Sequence, residues 1–105
     1  MVAYDNLSSY TYAISSIPIS SGSWNFIVGT YSPSTRQLYI YVNGVLEGTS
    51  TAIGAFRTGT NIYDRISEPT SNDSNTYFSG LVDDVRIYNR ALSASEIQAM
   101  YNGNK

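Results

Sequence analysis

Gln37-Leu38-Tyr39-Ile40-Tyr41-Val42-Asn43-Gly44-Val45-Leu46-Glu47-Gly48-Thr49-Ser50-Thr51 is the stretch on which the fold turns. Leu38, Ile40 and Val42 alternate with Tyr39 and Tyr41, the period-two pattern of a strand, and the pattern runs directly into Asn43-Gly44. Asn-Gly supplies the positive φ values that a two-residue type I′ turn requires. Strands over 37–42 and 45–51 are therefore predicted to pair antiparallel as a hairpin.

Toward the N-terminus, residues 24–31 read as a second strand, with Trp24, Phe26 and Val28 on one face and Ile27 and Tyr31 on the other. Apolar groups on both faces predict a strand covered on both sides, with Trp24 in the core. Residues 10–19 alternate Tyr10, Tyr12 and Ile14 with small polar residues and end in Ile17-Pro18-Ile19, which suits an edge strand. A turn at Ser20-Ser21-Gly22-Ser23 separates the two.

Toward the C-terminus, 54–60 is loop-like, 61–66 a short strand, and 67–76 a polar excursion long enough to be a binding or mobile loop. A last strand is predicted over 77–88, with Leu81, Val85 and Ile87 on one face and Val82, Arg86 and Tyr88 on the other. Then the period changes. Ser93-Ala94-Ser95-Glu96 is a capping box, and Leu92 and Ile97 occupy the two positions of a hydrophobic staple. A helix over about 94–101 follows, with Ile97, Met100 and Tyr101 on one stripe and Gly103 as its stop.

Composition narrows the chemistry. With 105 residues the chain is expected to form one domain spanning 1–105. It has no cysteine and no histidine, which removes disulfides, thiolate sites, thiol nucleophiles and the usual neutral-pH base. Six basic against eight acidic residues leave no basic patch for nucleic acid, and no window is apolar enough to insert in a membrane as a helix. Ten tyrosines and a wealth of Ser and Thr favour sheet and turn, so everything before residue 90 reads as all-β.

Three segments in order carry a resemblance: Trp24-Asn25-Phe26-Ile27-Val28-Gly29-Thr30-Tyr31, Leu38-Tyr39-Ile40-Tyr41-Val42-Asn43-Gly44, and the run from Phe78-Ser79-Gly80-Leu81-Val82-Asp83-Asp84-Val85-Arg86-Ile87-Tyr88 through Asn89-Arg90-Ala91-Leu92-Ser93-Ala94-Ser95-Glu96-Ile97. Over roughly 24–101 the sequence resembles the laminin-G-like branch of the concanavalin A-like lectin and glucanase superfamily. The resemblance implies an antiparallel jelly-roll β-sandwich with a short C-terminal helix, in a secreted or cell-surface protein that binds glycans or other proteins. Ile62-Tyr63-Asp64-Arg65 stands where the family commonly has an Ile-Gly-Arg-like strand. The family's strands before the tryptophan strand are expected to be missing. Six strands at most are legible, against the eight of a jelly roll. The sandwich is therefore expected to be incomplete, a fragment or one finished by another chain.

Tyr39, Tyr41, Tyr63 and Tyr77 are the candidate ligand-binding residues, rings that stack on a sugar beside the 67–76 loop. The competing account has these tyrosines pairing across strands and capping a core. The resemblance also implies calcium near the loops, with Asp83 and Asp73 as candidate ligands; the competing account makes Asp83 a buried carboxylate bonded to loop amides. Glycosidase chemistry needs two carboxylates about 5–5.5 Å apart for retention. Glu47, Glu68 and Glu96 have no such partner, so no enzyme activity is expected. Two functions stand: a non-catalytic extracellular module for glycan binding or cell adhesion, and a structural subunit that forms homo-oligomers through uncovered sheet edges.

Overall fold

Asn43 and Gly44 sit at φ 52° and 82°, the left-handed values of a type I′ turn, and close the hairpin where the sequence puts it. Its strands are here β4 (Gln37–Val42) and β5 (Val45–Thr51). Ile40 lies opposite Gly48 and Tyr41 opposite Leu46, so Glu47 is an extra residue, a β-bulge in β5. The computed structural model describes residues 2–4, 10–54 and 78–103. The chain divides into two compact units, Met1–Arg57 with Tyr88–Lys105, and Thr58–Ile87.

In the first unit, β3 (Ile27–Ser32) pairs antiparallel with the other side of β4, giving a three-stranded meander in the order β3-β4-β5. β1 (Val2–Tyr4) and β2 (Tyr10–Tyr12) form a separate antiparallel pair. β2 is shorter than the strand predicted over 10–19, and β3 begins three residues later than predicted. The Asn25 side-chain amide donates to the carbonyls of Ser20 (2.9 Å) and Ser23 (3.0 Å), which holds the backbone in a turn up to that point. Trp24, placed in the core by its pattern, rides on that turn and is 67% exposed.

The sheet has two unlike faces. On one, Tyr41, Leu92 and Ile97 form a buried cluster, with Phe26, Val28, Tyr39 and Met100 against it. This face is covered by α1 (Ala94–Gly103). Its start follows the predicted capping box: the Ser93 amide donates to Glu96 Oε2 at 2.8 Å, and the Glu96 amide donates to Ser93 Oγ at 3.2 Å. Leu92 and Ile97, the staple pair, are both buried. Arg90 adds two hydrogen bonds to the Glu96 carboxylate, at 2.8 and 2.9 Å.

On the other face, Leu38 packs with Ala13 and Ala52, flanked by Tyr31 and Ile40. Residues 13–16 cross this face as a strap. The Ser16 amide donates to the carbonyl of the bulged Glu47 at 3.0 Å, and the Ser16 hydroxyl to its carboxylate at 2.6 Å. A side chain at Gly48 would run into the Ile14 carbonyl, so glycine is what lets the strap approach.

In the second unit, the described residues 78–87 contain no strand, nor does Tyr88 beyond them, so the predicted strand over 77–88 is not found. Leu81 and Ile87 are each 80% exposed. A period-two pattern makes a strand only where a neighbouring backbone takes its hydrogen bonds. The strand predicted at 61–66 and the loop at 67–76 lie outside the described residues.

Candidate functional site

The strap leaves part of its face uncovered. Between it and the sheet runs a groove of about 310 Å³, lined chiefly by Tyr12, Ile14, Ile19, Ile27, Ile40 and Val42. Ile27 and Val42 are directly opposed across β3 and β4, so their side chains share this face. Ile14 is 74% exposed, and Ile17, Ile19 and Ile27 are each near half exposed. Ile27, Ile40 and Val42 are held by the hydrogen-bonded sheet and Ile14 and Ile19 by the segment that follows β2, and together they present an uncharged, mostly apolar surface. Such surfaces mark binding.

The candidate ligand-binding tyrosines lie elsewhere. Tyr41 is 6% exposed beneath α1, and burial, with Tyr39 adding to it, pushes its phenol above the ordinary value. It presents no ring to solvent, because the face that alternation gives it is the one the helix covers. Tyr39 is half-buried beside it, the ring centroids 6.4 Å apart at an interplanar angle of 48°. Tyr63 and Tyr77 lie outside the described residues. Trp24, by contrast, presents its ring to solvent.

Asp83 is exposed rather than buried, and its Oδ1 accepts from the next backbone amide, that of Asp84, at 2.8 Å. Asp84 is paired with Arg86 at 3.1 Å. Asp83 therefore has one carboxylate oxygen engaged by a backbone amide and takes no part in the Asp84–Arg86 ion pair. Among the described residues no group of three or more His, Cys, Asp or Glu could hold a metal. Asp73 lies outside them. Among the described residues Arg90 and the Ser93 amide hold the Glu96 carboxylate down at about 2, and this cluster caps a helix.

The groove is not among the sequence-predicted sites. Its signal is nevertheless present: no charged residue occurs between Asp5 and Arg36, and Ile14, Ile17 and Ile19 lie within that span. Periodicity alone does not separate an isoleucine that packs inside a domain from one left open.

This geometry, an antiparallel sheet with an apolar face and a short capped C-terminal helix, agrees with what the comparisons find. The chain belongs to the concanavalin A-like lectin/glucanases superfamily. Within it, a laminin G family model matches residues 1–98, so the correspondence reaches the first residue rather than starting near Trp24. A crystal structure of residues 221–444 of an S-layer domain-containing protein from Clostridium thermocellum ATCC 27405 is similar at 27% identity with a TM-score of 0.64. The similarity covers 83% of this chain and 43% of that one, so the chain spans less than half the length of that structure. No curated protein matches it.

Proposed function

We propose that the protein is a non-catalytic module of the cell exterior that works by contact, and that the groove on the strapped face is its contact surface. The uncharged, aliphatic lining of that groove carries the reading. Its lining is mostly apolar, with the Tyr12 phenol and the Ser15 hydroxyl as its polar groups and no carboxylate or amine, so it favours an apolar polypeptide surface over a sugar, most of whose hydroxyls would lose water without gaining partners. Family membership and likeness to an S-layer protein support a cell-surface setting.

The occupant is a second copy of this chain, each contributing strands toward the other's jelly-roll sandwich. A formal net charge of only −2 lets two copies approach with little repulsion. Light scattering across a dilution series tests this. A dimer that dissociates on dilution is expected; a monomer at every concentration into the high micromolar range overturns it.

One observation favours a second reading, glycan binding. Trp24 is exposed on a turn braced by Asn25 and rich in serine hydroxyls, which suits stacking on a sugar face better than the buried Tyr41 does. Tyr39, Tyr63 and Tyr77 are the further rings of this reading, and calcium at Asp83 and Asp73 its metal. Labelled protein on a glycan array, with and without calcium, separates the two: signal lost in Trp24→Ala supports it, and an array blank in both conditions removes it.

A further inference from the structure

The sequence holds two Asn-Gly dipeptides, Asn43-Gly44 and Asn102-Gly103. Asn-Gly is the pair most open to spontaneous rearrangement, because a glycine nitrogen meets no neighbouring side chain on its way to the asparagine amide. The structure sets the two pairs in opposite circumstances. We propose that Asn102 is a site of non-enzymatic conversion to aspartate and isoaspartate, and that the hairpin protects Asn43 from the same reaction.

In the reaction, the Gly103 backbone nitrogen attacks the amide carbon, Cγ, of Asn102. A bond forms between that nitrogen and Cγ, the bond from Cγ to Nδ2 breaks, and ammonia leaves with the proton that the backbone nitrogen gives up. Water then opens the cyclic imide at either carbonyl, giving aspartate or an isoaspartate whose backbone is routed through Cβ and Cγ. Nothing is oxidised or reduced, and solvent water is the one co-reactant.

Asn43 is held against this on every side. Its Oδ1 accepts from the Phe26 amide at 2.9 Å, and its own amide donates to the Phe26 carbonyl at 2.7 Å. Gly44 is buried, with the side chains of Tyr101 and Gln98 within 3.3 Å of where a Cβ would stand. The attack needs the hairpin to open. Asn102 lies in the last turn of α1 and is exposed, and its Oδ1 has only a long 3.5 Å contact from Gln98 Nε2. Around Gly103 there is open space. Helix ends open at little cost, whereas a hairpin turn bonded to the neighbouring strand and covered by α1 opens only with that packing.

Conversion places a negative charge at the C-terminal end of α1, where the helix dipole opposes it, next to Tyr101, whose ring stacks on Phe26 at 6.2 Å. The hold of α1 on the sheet therefore weakens with age.

Peptide mapping of the whole protein after prolonged incubation in mildly alkaline buffer tests this, with a parallel sample unfolded in urea. In the folded protein the deamidation mass shift is expected to accumulate at Asn102 at least about tenfold faster than at Asn43, and urea is expected to bring the two rates together. Gly103→Ala fits the open space and is expected to suppress the reaction at Asn102 without unfolding the protein. Equal folded rates at the two sites, a faster rate at Asn43, or no effect of Gly103→Ala would overturn the proposal.

Discussion

The sheet β3-β4-β5 turns one face to α1 and the other to the strap, and the two are built by different means. Under α1 the core is closed by side chains alone: Ile97 is fully buried, Tyr41 and Leu92 nearly so, and Phe26 stacks on Tyr101. On the strapped face the backbone does the covering, through the Ile14 carbonyl over Gly48 and Ser16 on the bulged Glu47. Backbone takes up less apolar surface than a helix stripe does, and a groove is left. A structural face and a contact face can thus share one strand, divided by the alternation of Leu38, Ile40 and Val42 against Tyr39 and Tyr41.

If that division holds, substitutions on the two faces should fail differently. Ile97→Ala should cost about 4 kcal/mol by removing the centre of the helix face, a large part of the stability of a protein this size; urea unfolding reads it, and a loss under about 1 kcal/mol breaks the picture of a closed face. Gly48→Ala should cost about 2 kcal/mol, because the strap must lift off the new methyl group. Accelerated proteolysis between residues 13 and 19, with α1 still protected, would show that the damage stays on its own face.

Smaller effects sharpen the boundary. Ser93→Ala should cost about 1 kcal/mol through loss of the helix cap, read by thermal unfolding. Acid should loosen the same end of α1. The folded Glu96 carboxylate is held at about 2, below its unfolded value, by Arg90 first and the Ser93 amide next, so its support is present above pH 4.5 and is lost as the pH falls toward 2. Arg90→Gln should flatten that acid limb of a stability-against-pH curve. Ile14→Ser should change stability least, by about 0.5 kcal/mol or less, since the side chain is mostly exposed. Its effect should fall on association.

The same contrast explains what could be read in advance. Asn43-Gly44 and Ser93-Ala94-Ser95-Glu96 specify their structures through bonds within a few residues, and both form as the sequence indicates. Trp24 and Tyr41 deceive in opposite directions. Each sits in an alternating run, and alternation sorts residues into two faces without saying which face a distant helix will cover. Leu81 to Tyr88 shows the remaining limit: its pattern fits a strand, yet the described residues there form none. For the site, Ile14, Ile19 and Ile27 look like ordinary core residues in the sequence, because exposure is decided by where the strap crosses the sheet.

On the proposed reading, two copies meet at the strapped face. Since the protein has no cysteine of its own, a single Ile19→Cys in the groove can be labelled cleanly, with Ser21→Cys on the neighbouring turn as reference. The measurement is the labelling rate of each thiol as protein concentration rises. The groove thiol is expected to slow with concentration while the turn thiol does not; rates at both positions that ignore concentration would overturn the proposed dimer face.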